Sequence, residues 1–268
     1  MKKLGKIYLA LVLLFLYVPI FVLIVFSFNE SKSSSVFSGF TLDWYKRLFN
    51  NRIIISSLMN TIIIAVAASI TSTVLGTLAA IGINSMKRVP RTVIMNVTNM
   101  PIINPEIVTG VSLMLLFSFF AARMTLEFGF VTLLIAHITF DVPYVILSVM
   151  PKFRQMDPHL YEAAQDLGCS PFRAFRKVVL PEIMPGVVSG FLMSFTYSLD
   201  DFVISYFTTG STSQTLPITI YSMTRRKVSP EINALSTLIF LVVVVVLLFR
   251  NILESKAAKK RLSGGGGQ

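Results

Sequence analysis

The sequence predicts an all-α membrane protein of six transmembrane helices, interrupted by one polar helical excursion. Three observations carry that reading. Of the 268 residues, 54% are hydrophobic and 14% charged, and the mean hydropathy is +0.72, whereas a soluble domain carries about 25% charge. The charges are segregated, which leaves uncharged runs long enough to cross a bilayer, where only helices or closed barrels satisfy their own backbone. The basic residues behind the net charge of +11 sit in short segments between those runs, a signature of membrane topology rather than of nucleic-acid binding. The lone cysteine, Cys169, excludes an internal disulfide.

Taken in order, Lys2, Lys3 and Lys6 precede an uncharged run over residues 7–28. It is longer than a signal-peptide core and no small-residue cleavage site follows, so it reads as an uncleaved first span. Residues 29–58 read as a polar loop whose Trp44 and Tyr45 suit a membrane interface. Residues 60–86 give span two, followed by the basic turn Lys87-Arg88-Val89-Pro90-Arg91. Residues 92–122 hold one charge, Glu106, and two prolines, Pro101 and Pro105, which predict a kinked or interrupted span three. Span four covers residues 128–150 and holds His137, Asp141 and Pro143. The polar excursion occupies residues 151–182. Span five runs from about 183, past Asp200-Asp201, to about 207. A polar loop over 208–231 contains Arg225-Arg226-Lys227, a solvated face or a dock for an acidic partner. Span six covers 232–249, and the glycine-rich tail is expected to be disordered. With the N-terminus inside, 16 of the 24 basic residues fall on inner segments. That predicts a plasma (cell inner) membrane protein with both termini in the cytoplasm. The chain divides into an N-terminal helix and outer loop (1–57), a core (58–250) and a tail (251–268).

The excursion has legible punctuation. Asp157 can cap a helix, Pro158 fits its first position, and Gly168 can take the left-handed conformation that ends it. Ser170-Pro171 then starts a second short helix and Leu180-Pro181 ends it. A helix over 158–167 aligns Leu160, Ala163, Ala164 and Leu167 on one stripe, with Glu162 and Asp166 on a neighbouring face. That surface suits a partner's groove; the same spacing also suits a solvated connector.

Written out, Glu162-Ala163-Ala164, three residues, Gly168, nine residues, Val178, one residue, Leu180-Pro181 resembles the EAA loop of permease subunits in binding-protein-dependent ABC importers, the MetI-like type I family. It departs at Val178, where the family has Ile. The stretches Ser194-Phe195-Thr196-Tyr197-Ser198-Leu199-Asp200-Asp201-Phe202 and Ile220-Tyr221-Ser222-Met223 are similar to the spermidine/putrescine branch of that family. The resemblance implies a coupling helix on which Leu160, Tyr161, Glu162, Ala163, Ala164, Asp166, Leu167 and Gly168 meet an ATPase. It implies as partners a second homologous permease subunit, two ATPase subunits, an extracytoplasmic polyamine-binding protein and membrane lipid. The only Gly-Lys pair, Gly5-Lys6, is followed by Ile7, so no Walker A loop exists. The chain is therefore expected to be a transport subunit without catalytic residues or cofactor, driven by ATP hydrolysis on another chain. His137 and His159 lie in different environments and Cys169 stands alone, so no metal or nucleophile constellation is expected.

Four acids fall within or near the spans: Glu106, Asp141, Asp200 and Asp201. No Lys or Arg shares their depth. Ionisable groups there are costly and mark function, and an acids-only set suits a cationic cargo whose ammonium groups need carboxylates in place of water. The expected path comprises Asp200, Asp201, Glu106, Asp141, Tyr197 and Phe202, and the aromatic rings (Tyr144 and Tyr206 among them) could add cation–π contacts. Each acid has a plainer role open to it. Asp200-Asp201 could be an interfacial pair, Glu106 could cap a restarted half-helix, and Asp141 could pair with His137 one turn back, the role favoured for it. Gly186 and Gly190 favour close helix packing, which could also place span five against the second permease subunit. Other cargoes (iron, thiamine, an aminophosphonate) remain open, as do an ATP-independent transporter or channel and a signalling subunit.

Overall fold

The computed structural model describes residues 2–31, 36–124, 127–157, 159–226, 230–241 and 244–245. The described residues form helices and irregular segments, with one isolated antiparallel bridge between Asn29 and Phe40. Among the described residues five helices are long and apolar enough to span a membrane: Gly5–Phe26, Arg52–Asn84, Glu106–Arg123, Phe130–Gln155 and Pro171–Asp200. A shorter apolar helix, Pro230–Leu241, opens predicted span six. The rest of that span apart from 244–245, Pro158, Lys227 and the tail over 251–268 lie outside the described residues.

The chain divides into two compact units, Met1–Ile55 with Ile220–Gln268, and Ser56–Thr219. In the first, α1 (Lys2–Phe26) buries none of its apolar window, as a lipid-facing helix should. The loop after it is ordered by its polar groups. The Trp44 indole, at the start of α2 (Asp43–Asn50), donates to the Asn29 carbonyl at 2.7 Å, and Tyr45 shares a 2.7 Å hydrogen bond with Ser27. Trp44 is thus buried inside its own loop, with its indole N–H spent on the backbone.

The second unit takes in α3 (Arg52–Asn84) from Ser56 onward, α4 (Arg88–Ile103), α5 (Glu106–Met124), α6 (Phe130–Gln155), α7 (His159–Asp166), α8 (Pro171–Ala174), α9 (Leu180–Asp200), α10 (Val203–Thr208) and the first turn of α11 (Leu216–Arg226). Its spine is the pair α6 and α9, whose long contact is made possible by glycine. A Cβ on Gly186 would stand 2.9 Å from the Ser148 carbonyl oxygen, and one on Gly190 would stand 3.1 Å from the Val145 Cα. Both glycines therefore seat α9 on α6 within this chain. We expect Gly186→Leu to cost about 1–3 kcal/mol through overpacking. The check is a lower melting temperature in detergent; an unchanged melt would mean the two helices do not meet there.

Among the described residues, apolar clusters flank this spine. One joins Ala80, Ile83, Val145, Val149, Met150, Val179 and Ile183, with Tyr161, Met95 and Met156 packed against it. Another joins Leu113, Phe117, Ala136, Phe140 and Ile204.

Span three is interrupted as its prolines predict. Helix α4 ends at Ile103, and Asn104 turns extended (φ −69, ψ 140) because the ring of Pro105 excludes the helical conformation before it. Helix α5 restarts at Glu106. Elsewhere the boundaries differ from the sequence reading. Span five ends at Asp200 and breaks at Asp201-Phe202, leaving α10 separate. The loop predicted over 208–231 contains α11, and that over 29–58 contains α2 and the start of α3. Leu180-Pro181 does not end a helix: the chain runs from α8 through a π-helical turn, Phe175–Val179, directly into α9. In that turn the Leu180 N–H reaches back five residues to the Phe175 carbonyl. The widened turn relieves the clash that a proline ring makes with the carbonyl four residues earlier.

Candidate functional site

The polar excursion folds as its caps dictate. The Asp157 carboxylate accepts the His159 backbone N–H at 2.9 Å, satisfying one of the free donors at the start of α7. At the far end Gly168 has φ +82. The Gly168 N–H donates to the Gln165 carbonyl at 2.8 Å and the Cys169 N–H to the Ala164 carbonyl at 3.1 Å, a Schellman closure. The helix is thus stopped at both ends by its own sequence. Its faces divide sharply. Leu160 and Leu167 are 39% and 87% exposed, and Ala163, Glu162 and Asp166 are also exposed. Ala164 and Tyr161 are half-buried, and Tyr161 packs on the cluster that joins α3, α6 and α9. Glu162 lies 3.7 Å from the His159 ring in a loose surface pair, which contributes little. The α7 surface therefore presents apolar knobs beside carboxylates, anchored by one tyrosine to the helices behind it.

The four acids fall into two sets. Glu106 is exposed in the first turn of α5, and Asp200 is exposed at the end of α9. Asp141 and Asp201 are buried. One Asp201 carboxylate oxygen accepts the Ile204 N–H at 3.2 Å and the other the Ser205 N–H at 2.7 Å, so Asp201 caps α10. The second oxygen also lies 3.6 Å from the Nε2 of His137. Both ring nitrogens of His137 are engaged, Nδ1 with the Ser198 hydroxyl and Nε2 with the Ser205 hydroxyl. This network stitches α6, α9 and α10 together.

Asp141 lies one turn beyond His137 on α6 but does not pair with it. The histidine ring is turned toward Ser198, Ser205 and Asp201, which already use its nitrogens. Neither Asp141 oxygen makes a hydrogen bond of good geometry among the described residues, although the Ser194 hydroxyl lies beside its carboxyl group, and the Thr73 and Thr77 hydroxyls on α3 are buried without a partner. Beside this region Ser72 and Ser194 share a hydrogen bond of 2.8 Å between α3 and α9. Tyr197 stacks on Tyr144 with ring centroids 4.4 Å apart, and Phe140 closes on both. Phe202 lies 5.5 Å from Tyr206. Among the described residues no group of three or more His, Cys, Asp or Glu side chains could hold a metal ion.

A short capped helix, exposed on one face and set in a polar segment between two long apolar helices, stands where the EAA resemblance placed one. The profile of the family described as "Binding-protein-dependent transport system inner membrane component" matches residues 72–259. The chain belongs to this family. The permease is 37% identical over 228 residues to the spermidine/putrescine transport system permease protein PotC of Escherichia coli (strain K12), covering 85% of each chain. It is 38% identical over 228 residues to the putrescine transport system permease protein PotI of the same strain, covering 84% of this chain and 81% of PotI. In fold it is similar to a chain of a bacterial ABC transporter involved in import of the acidic polysaccharide alginate. That match has a TM-score of 0.70 at 13% identity and covers 94% of this chain and 95% of the other.

The permease is thus a multi-pass, all-α membrane protein of the ABC importer type, and its relatives are transport permeases. Sequence reasoning overlooked His137 as a hub. Its partners Ser198, Asp201 and Ser205 lie 61, 64 and 68 positions away, so no local spacing announces them. The only signal was the rarity of a histidine inside an apolar span.

Proposed function

We propose that the permease forms half of the translocation path for polyamines in an ATP-driven importer. It works with a second homologous permease subunit, two ATPase subunits and an extracytoplasmic binding protein that delivers spermidine or putrescine. The observation that carries this reading is the 37% identity to PotC across 85% of both chains, and the four acids within or near the spans, with no Lys or Arg at their depth, agree with it. The chain itself supplies no ATP site and no cofactor. Helix α7 lies on the cytoplasmic side, with both termini, and docks in a groove of an ATPase subunit. ATP-driven closure moves α7, and Tyr161 passes that movement to the cluster between α3, α6 and α9. Glu106 and Asp200, the two exposed acids, offer the cargo weak successive contacts, because tight binding would stall release.

The test is uptake by the importer reconstituted with its companion subunits, using labelled spermidine and putrescine against thiamine and iron. Polyamine uptake is expected, and Glu106→Gln with Asp200→Asn is expected to lower it tenfold or more, since a hydrogen bond to a charged group contributes about 1.5–3 kcal/mol. Uptake of another cargo in place of polyamine defeats the cargo assignment. Polyamine uptake unchanged in the double variant defeats the assignment of those two acids.

A further inference from the structure

A basic cleft lies at the end of the second unit that carries α7. It is formed by Arg88, Arg91, Met95 and Asn99 on α4 and by Arg154 at the end of α6, and its volume is about 560 Å³. Among the described residues no carboxylate pairs with any of the three guanidinium groups. Three converging arginines without an acid repel one another and leave their forked donors unmatched, which is the complement of a phosphate group.

The other face of α4 says which kind of phosphate. Val89, Val93, Val97 and Met100, spaced four, four and three apart, form an exposed apolar stripe opposite the arginines. One helix therefore offers a charged side and an oily side at the point where the chain enters its apolar spans. A free phosphate or nucleotide needs only the arginines; a phospholipid also uses the apolar Met86 and Met95 that line the same cleft, with its headgroup among the arginines. Basic pockets between membrane helices suit anionic headgroups for this reason. We propose that this cleft is a binding site for the headgroup of an anionic phospholipid, held at the membrane surface beside the docking helix. A lipid there braces α4 against α6 next to the element that α7 moves, so membrane composition acts on coupling.

The experiment is native mass spectrometry of the permease, purified with whatever companion subunits remain attached, during titration with phosphatidylglycerol or phosphatidylcholine. It needs neither cargo nor ATP hydrolysis, so its outcome is separate from that of the transport reading. Wild type is expected to retain phosphatidylglycerol in preference to phosphatidylcholine. The variant R88Q/R91Q/R154Q is expected to lose affinity by roughly a hundredfold, on the order of fivefold for each arginine near the surface. Arg154→Lys keeps the charge but loses the forked donor pair, and is expected to bind between wild type and Arg154→Gln. If the triple variant does not assemble, the three single Arg→Gln variants must each show the smaller loss. Equal retention of the two lipids by wild type overturns the proposal, as does wild-type retention by the variants. Displacement of the lipid by inorganic phosphate makes the cleft a free-anion site and overturns it too. So does loss of a companion subunit from the triple variant with lipid retention unchanged, which makes the arginines a protein contact.

Discussion

Asp201→Ala is expected to destabilise the purified permease by several kcal/mol, about 1–3 kcal/mol for each buried hydrogen-bonding group that it leaves unsatisfied. The carboxylate has two duties that alanine cannot perform. It accepts the N–H groups of Ile204 and Ser205 at the start of α10, and it faces His137 at 3.6 Å with the two side chains 4% and 1% exposed. Removing it leaves two backbone donors and a histidine facing a dry void. Asp201→Asn keeps the size and one acceptor, so its melting temperature should fall between those of wild type and the alanine variant. The decisive measurement is a double-mutant cycle with His137→Ala, followed by thermal melting in detergent. Contacting residues couple by about 0.5–3 kcal/mol, and here the double variant should lose less than the sum of the singles. Strict additivity would show that the pair does not act as a unit.

This network gives Asp201 a structural duty that its position did not announce. Both Asp141 and Asp201 are among the acids expected in the path, and Asp141 has in His137 a plausible local partner one turn away. In the fold Asp201 holds the cap and the histidine, whereas Asp141 is fully buried with the Ser194 hydroxyl beside its carboxyl group and no bond of good geometry among the described residues. A buried carboxyl group so weakly satisfied is costly.

What was legible in the chain follows from the range of the forces involved. The spans rest on length and hydropathy, which are local sums, and the five long apolar helices occupy the predicted runs. The caps of α7 rest on residues within a turn of each other, so Asp157 and Gly168 could be read directly. The break at Asn104-Pro105 is local steric exclusion. The errors lie where a distant contact or a rarer backbone form decides. Pro181 looks like a terminator unless a π-helical turn is known to precede it. Tyr161 looked like a partner contact alongside its neighbours, but one turn of α7 rotates it onto the cluster behind the helix. Arg88, Arg91 and Arg154 read only as topology signals, because their convergence depends on how α4 packs against α6.

Leu167→Asp is expected to abolish most transport while leaving the permease folded. Leu167 is 87% exposed and touches no core cluster, so its substitution should change stability by no more than about 0.5 kcal/mol. Yet it is the most exposed apolar side chain of the excursion, set beside the left-handed Gly168 that fixes its direction. An apolar knob held rigidly at the end of a capped helix has the character of an anchor, and truncating such an anchor commonly costs 2 kcal/mol or more of binding. A carboxylate adds a desolvation penalty on top of that loss. Together these correspond to a fall of about thirtyfold or more in the affinity for the ATPase subunit. Two measurements separate docking from folding. The melting temperature of the variant in detergent should match wild type, while copurification of the ATPase subunit and ATP-dependent uptake should both collapse. Glu162→Lys should act in the same direction more weakly, since its exposed charge contributes through steering and rim contacts. Normal copurification and uptake in Leu167→Asp would return α7 to the status of a solvated connector, and the coupling movement would then have to enter the permease elsewhere.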